Sequence, residues 1–306
     1  MSKELIETFH RLLRPINLRM RTRVNGARFR IQVSRGIGAS NLRTSDPWMI
    51  DSLRRLFELE PNAPIVDIGA SLGQTLLKVR SLDAHRPYIG FEPSAFCVDY
   101  LQELIAINGF RNCRIVLTAL GANAGIVTLN TNNAADTSAS MIDSVRGGQG
   151  RNFTQAIPLL PFDEIYRSID AEQTKLIHID AQGAELEVVS GIQKVLQNKR
   201  PLLSCKVLNA QSQQLLSITH HRNVRLINAL HRADYWIYQI VKNADEDETV
   251  GLNRVDMFAD RVWDWRTSPA DCDYLFVPDE RVLDLHDVYG VDNNNSRVAK
   301  FIATAA

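Results

Sequence analysis

Three short segments of this 306-residue chain bring glycine, hydroxyl and carboxylate residues together at spacings that suit ligand binding and proton transfer. The first is PIVDIGASLGQTLLKVR, in which Gly69 and Gly73 flank a tight turn between a short apolar run and a helical stretch. Glycine at such a turn lets bare backbone and a helix N-terminus approach a ligand closely. Ser71 followed by Gln74 fits a capping box for that helix. The second segment is YIGFEP, where Glu92 ends another apolar run. An acid at that place suits acceptance of two ribose hydroxyls, as acidic residues at the second strand end do in nucleoside-binding sheets. A glycine turn or a surface acid alone is commonly plain structure, but the two on consecutive strand ends point to a nucleoside site.

The third segment is KLIHIDAQGAELEVVSGIQKVL. Asp180 ends its apolar run, and alternation puts His178 on the same side of the strand. Asp180 is a candidate general base or a helix cap, whereas His178 reads first as a partly buried, satisfied histidine. Glu185 falls in the first turn of the next helix, where the dipole favours an acid. Glu185 and Glu187, two residues apart on a helix, cannot both face one site.

Two other chemistries share these residues. Gly69-Ala70-Ser71-Leu72-Gly73 is a G-x-S-x-G pattern, and Asp163 or Asp180 followed by His220, His221 or His231 permits a Ser, Asp, His order. A nucleophile elbow, however, normally follows several earlier sheet strands, and here only a helix, a hairpin and a helix precede it. A nicotinamide-binding turn needs G-x-G-x-x-G, which G-x-x-x-G does not supply.

The elements that must position these residues follow from pattern. At 45% hydrophobic and 23% charged, the chain can bury a substantial core, which excludes a disordered or fibrous protein. Short apolar strands at Ile65 to Ile68, Tyr88 to Phe91, Arg114 to Leu117, Lys175 to Ile179 and Leu202 to Val207 alternate with helices, predicting an open, mostly parallel sheet covered on both faces. Ligands of such sheets bind beyond the strands' carboxyl ends. Tyr235 to Ile240 and Tyr274 to Val277 read as antiparallel strands finishing a mixed sheet. Ahead of this lie a helical pattern over residues 3 to 16, a second helix with Ser45 or Asp46 as N-cap, and between them LRMRTRV-NG-ARFRIQV, a hairpin closed by Asn25-Gly26. One hairpin face would hold Leu18, Met20, Val24, Phe29, Ile31 and Val33. Four scattered cysteines without CxxC, and seven histidines without HExxH, argue against a disulfide framework or a zinc site. No run approaches the ~20 apolar residues of a membrane span, and the N-terminus lacks a signal peptide's apolar block, so a soluble, cytoplasmic protein is expected.

The blocks VDIGASLGQTLLKV, IGFEPS, NGFRNCRIVLTALGANAG, LPFDEI, LIHIDAQGAELEVVSGIQKVLQNKRPLL and YLFVP occur in this order between about Trp48 and Pro278. The series resembles the FkbM family of S-adenosylmethionine-dependent methyltransferases. The resemblance implies a Rossmann-like class I α/β fold: a seven-stranded, mostly parallel sheet with helices on both faces and an antiparallel C-terminal strand. It would occupy residues 64–306, with residues 1–63 packed on it as helix, basic hairpin and helix. The resemblance also implies O-methylation of a sugar, glycan or secondary-metabolite hydroxyl, and the zero net charge of the whole chain argues against a nucleic acid as partner. Asp67, Gly69, Ala70, Ser71, Gly73 and Gln74 would then surround the methionine end of S-adenosylmethionine. Glu92, with Pro93 beside it, would hold the ribose, and Thr118, Ala119 and Leu120 would border the adenine. Asp180, Gln182 and Glu185 match the family's D-x-Q/E-G-x-E block near the transferred methyl. Asp180 is the expected base, His178 its reserve, and Glu185, His220 and His221 are candidate acceptor contacts. Ser71 stands where the family usually has Asn, His178 where it has Lys, and Lys206 where it has an acid. That exchange leaves open a non-catalytic homologue that only binds cofactor or glycan. No carboxylate cluster suggests a metal.

The net charge of zero hides an asymmetry. Residues 1–43 hold ten basic residues against Glu4 and Glu7, whereas residues 244–292 hold fourteen acids against Arg254, Arg261, Arg266 and Arg281. A two-residue hairpin loop sets Arg23 opposite Arg28 and Arg21 opposite Arg30, and like charges placed so are destabilising. Either the acidic segment lies over this face, the simpler expectation, or Arg19, Arg21, Arg23, Arg28 and Arg30 meet an external anion such as a phosphate group or an anionic membrane.

Overall fold

The computed structural model describes residues 17–34, 36–131, 140–142, 153–264 and 271–289. The helical pattern over residues 3 to 16 lies outside them. The hairpin forms in the expected register: β1 (Asn17–Val24) pairs with β2 (Ala27–Ser34), with Arg21 opposite Arg30 and Arg23 opposite Arg28. Asn25 and Gly26 both take positive φ (48° and 79°), the turn whose twist matches the strands. Val24, Phe29, Ile31 and Val33 are buried, while Leu18, expected with them, is 38% exposed at the open end of the ladder.

α1 (Trp48–Leu59) follows. Neither Ser45 nor Asp46 caps it; Pro47 precedes the helix without a side-chain cap, and Asp46, at φ 44°, turns toward the cleft described below. The chain then runs through β3 (Ile65–Ile68), α2 (Gln74–Leu82), β4 (Tyr88–Glu92), α3 (Ala95–Asn108), β5 (Cys113–Leu117), β6 (Ala119–Leu120), β7 (Gly125–Thr131) and β8 (Phe153–Leu160). α4 (Phe162–Ile165), β9 (Leu176–Ile179), α5 (Glu185–Ser190), α6 (Gln193–Lys199) and β10 (Leu202–Lys206) come next. The last elements are α7 (Leu216–His231), β11 (Tyr235–Lys242), β12 (Thr249–Arg254), β13 (Asp273–Pro278) and α8 (Val282–Tyr289).

The main sheet has eight described strands in the order β12-β11-β13-β10-β9-β3-β4-β5, one more than the seven expected. β10, β9, β3, β4 and β5 are mutually parallel, and β13, β11 and β12 finish the sheet antiparallel. β3 and β9 are buried along their whole length, which is why they read as unbroken apolar runs. Core residues on the two faces form separate clusters, one around Ile68, Ile179 and Leu203, the other around Ile65, Leu76 and Leu275. The hairpin shares a third cluster with Leu72 and Leu77 beside it and with Tyr100 and Leu104 of α3. A three-stranded sheet, β6-β8-β7, projects from the end of β5. It escapes pattern reading because its own buried cluster is small (Ala119, Leu129 and Ile157) and because β8 carries a proline, Pro158, within the strand.

Candidate active site

The chain winds from β3 outward through β4 to β5, then returns to place β9 on the other side of β3. At that reversal a cleft of about 200 Å³ opens beyond the carboxyl ends of the strands.

The loop after β3 forms one wall through Gly69, Ala70 and Ser71, with Gln74 from the start of α2. Gly69 has φ +91°, and a Cβ there would stand 2.1 Å from the Asp180 carbonyl oxygen. The contact is close because the Asp180 amide donates to the Ile68 carbonyl at 2.9 Å, joining the loops after the two strands. Gly69→Ala is therefore expected to destabilise the protein by about 3 kcal/mol or more, through an unfavourable φ and a backbone displacement. A thermal melt within a degree of wild type would remove this role. The capping box does not form. α2 is preceded by Gly73 at φ 83°, and the Ser71 amide donates instead to Glu92 Oε2 at 2.7 Å. Gly73 packs against Leu101 and Leu104 and does not line the cleft.

Glu92 closes the next wall, beside Pro93 and Phe91. Its second oxygen accepts the Ser94 amide at 2.8 Å. Burial raises its carboxyl to about 7, against the pull of those two amides. Each oxygen thus has one fixed donor and a remaining lone pair. Thr118, Ala119 and Leu120 line the far end, joined by Leu129 from the three-stranded sheet and by Met141.

The near end is charged. Gln182 donates to Asp180 Oδ1 at 2.7 Å, and Lys206 Nζ lies 3.9 Å from Asp180 Oδ2 and 3.8 Å from Asp46 Oδ2. Burial pulls the Lys206 ammonium down, but Asp180, Asp273 and Asp46 hold it well above its ordinary range. Burial likewise opposes ionisation of Asp46, yet Lys206 and Lys78 keep its carboxyl below the usual value. Asp46 was read only as a cap, and no sequence signal ties it to Lys206. Thr75, Cys97, Ala181 and Val188 are further lining residues the motifs did not show.

Several expected site residues lie elsewhere. Asp67 is fully buried beneath the loop, accepts the Tyr88 hydroxyl on Oδ2, and leaves Oδ1 without a partner. Burial raises its carboxyl to about 7, with Asp180 adding to the rise and the Tyr88 hydroxyl opposing it. His178 is buried behind the cleft with Nδ1 3.3 Å from Ser204 Oγ; burial, then Lys78 and Lys206, push it down to about 3, so the imidazole is neutral. Glu185 does not reach the cleft: it turns back to accept the Gly183 amide at 2.9 Å, and burial raises it to about 7. His220 and His221 sit on α7 away from the cleft, His220 against Asp260 at 2.7 Å and His221 donating to the Ser217 carbonyl. Asp163 accepts the Lys194 and Val195 amides at the start of α6. Among the described residues no histidine bonds Ser71, so no nucleophile triad is assembled. None of the four cysteines is in a disulfide. Among the described residues no three His, Cys, Asp or Glu side chains gather as a metal site.

These shifts set a pH dependence. Asp67, Glu92 and Glu185 bind protons more tightly folded than unfolded, so between their ordinary values and about 7 the folded state holds more protons. Stability from these groups falls as pH rises through that window. His178, depressed to about 3, works the other way only up to its ordinary value. The melting temperature of the ligand-free protein is expected to drop from about pH 5 to about pH 7.5, with three carboxyls outweighing one imidazole. A rise over that range, measured by calorimetry, would contradict the assignment.

The cleft suits a nucleoside-bearing cofactor. A left-handed glycine gives open backbone at one wall, and a buried carboxylate fixed by two amides offers its free lone pairs at the next. No curated protein matches the sequence. Solved structures similar to the chain include an FkbM methyltransferase from Methylobacillus flagellatus KT (17% identity, TM-score 0.40), covering 70% of this chain and 43% of that one. A second is Aeropyrum pernix fibrillarin, solved with natively bound S-adenosyl-L-methionine (13% identity, 85% and 82% covered, TM-score 0.42). A third is a precorrin-6y C5,15-methyltransferase from Geobacter metallireducens GS-15 (10% identity, 74% and 85% covered, TM-score 0.35). The chain thus spans less than half the length of the first of these. Residues 67–235, running from β3 through the glycine loop, Glu92 and the Asp180 block into β11, match the methyltransferase FkbM domain, and the chain belongs to the FkbM family of S-adenosylmethionine-dependent methyltransferases.

Proposed function

We propose that the protein transfers a methyl group to a hydroxyl oxygen of a sugar, glycan or secondary-metabolite acceptor. The observation that carries this reading is the placement of Asp180: an aimed carboxylate in the same cleft as the ribose-type acceptor Glu92. S-adenosylmethionine, when bound, supplies an activated methyl on a sulfonium. Glu92 would hold its ribose; Gly69, Ala70 and Ser71, with Gln74, would border its methionine end. Thr118, Ala119 and Leu120 would flank its adenine. Asp180 would accept the acceptor hydroxyl's proton, and Gln182 would hold the carboxylate's other oxygen in place. Alignment of acceptor oxygen and methyl, with exclusion of water, provides most of the acceleration. Lys206 places a fixed positive charge 3.9 Å from Asp180 Oδ2.

Lys206 also accounts for the exchange of charge types. β9 and β10 pair in parallel with His178 opposite Ser204, so Lys206, two residues beyond, stands level with Asp180. The cation absent from position 178 is thus supplied from the neighbouring strand. The test is transfer of labelled methyl from S-adenosylmethionine to hydroxyl-bearing acceptor extracts, with the linkage on oxygen confirmed. Cofactor binding without transfer to any acceptor would favour the non-catalytic homologue.

A further inference from the structure

One strongly charged surface meets little counter-charge among the described residues. Arg19, Arg21 and Arg23 of β1 and Arg28 and Arg30 of β2 alternate with inward-facing residues, so they share the outer face of the hairpin, and all five are exposed. Arg19 pairs with Glu103 at 3.2 Å, and the Arg30 guanidinium donates to the Ile107 carbonyl at 3.4 Å. Among the described residues Arg21, Arg23 and Arg28 have no ion pair. Several acids of the C-terminal region, the simpler expected cover, are engaged elsewhere: Asp279 and Glu280 on Arg200, Asp273 on Lys242, Asp271 on Arg261. That region lies with β11 to β13 toward one edge of the sheet, whereas the hairpin packs beside α3 toward the other.

Cross-strand arginine pairs weaken a hairpin unless negative charge lies over them. The face is an open ribbon about 14 Å long from Arg19 to Arg23, which suits an array of anionic groups better than one enclosed phosphate. No aromatic side chain shares the face, since Phe29 points inward, so the stacking platform of a single-strand binder is missing. The sequence just before it carries Leu5, Ile6, Phe9, Leu12, Leu13 and Ile16 at helical spacing among Lys3, Arg11 and Arg14, the composition of an interfacial segment. Among the described residues no helix is long and apolar enough to cross a membrane.

We propose that the outer face of the β1–β2 hairpin docks on an anionic lipid surface, with its five arginines against the headgroups. The experiment is flotation of the full chain with vesicles of phosphatidylcholine and phosphatidylserine in equal parts, against phosphatidylcholine alone. Wild type is expected to float with the first and not the second, and to be released by salt. Arg21→Glu with Arg28→Glu sets each new acid opposite a remaining arginine, Arg30 and Arg23, so the hairpin should hold or gain stability. Each arginine near such a surface strengthens binding about fivefold, so the double variant is expected to partition at least about 25-fold more weakly. Its S-adenosylmethionine affinity and melting temperature report that it is folded. Should it not fold, Arg21→Gln with Arg28→Gln gives the same reading with a smaller change. The proposal is overturned if wild type ignores anionic vesicles, if either folded variant binds as wild type does, or if a short RNA is bound while vesicles are not. Displacement by inorganic phosphate beyond chloride of matched ionic strength would instead indicate a discrete phosphate site and overturn it too.

Discussion

Asp180→Asn is expected to lower kcat about 10²- to 10⁴-fold while leaving S-adenosylmethionine affinity within about twofold. The substitution keeps an acceptor for Gln182, which now donates to Oδ1 at 2.7 Å, so the loop after β9 should keep its shape. What it removes is a cleft carboxylate whose second oxygen faces the Lys206 ammonium at 3.9 Å. His178 cannot substitute, because it lies behind the cleft against Ser204. Steady-state turnover with a labelled methyl donor, together with cofactor titration by calorimetry, separates the outcomes. Unchanged kcat would remove Asp180 as base. Parallel loss of cofactor affinity would mean that it holds the donor instead.

Glu92→Gln should act on the other quantity. The wild-type carboxylate accepts the Ser71 and Ser94 amides and retains a lone pair on each oxygen for ribose hydroxyls. The glutamine amide can accept from only one of those two N–H groups and sets a donor against the other. Losing two hydrogen bonds to a charged acceptor, each about 1.5–3 kcal/mol, weakens the cofactor by at least about 100-fold. The effect belongs in Kd and in KM for the cofactor, with kcat at saturation changed far less. In wild type, affinity should rise as pH passes through about 7, because burial holds the carboxyl protonated below it and ribose hydroxyls favour the ionised form. A Glu92→Gln affinity equal to wild type, or a wild-type affinity flat in pH, would count against the ribose role.

Much of the site was legible in one dimension because its parts are local. Gly69, Glu92 and Asp180 each end an apolar run, and the end of a parallel strand is where a sheet of this class exposes side chains. The hairpin register was legible for the same reason, since a two-residue Asn-Gly loop leaves one pairing. Readings that failed concern competition between partners. Ser71 and Gln74 fit a capping box, but the buried Glu92 carboxylate takes the Ser71 amide and Gly73 starts the helix. Asp46 has a cap's place in sequence, but Lys206 draws its carboxylate into the cleft. His220, His221 and Glu185 were attractive by residue type, yet Asp260, the Ser217 carbonyl and the Gly183 amide hold them elsewhere.

The sequence by itself determined the parallel sheet, the family and the three strand ends that face the cleft, because unbroken apolar strands and glycine turns are properties of neighbouring residues. Only the tertiary structure decided which charges meet. Lys206 between Asp46 and Asp180 depends on parallel pairing of β9 with β10 and on a loop some 130 residues earlier in the chain. The acidic C-terminal region and the arginine hairpin pack toward different edges of one sheet, so their opposite charges do not cancel in space. Coulomb interactions fall off with distance and are screened within about 10 Å. Composition therefore records how many charges the chain carries, and the fold alone records which of them are neighbours.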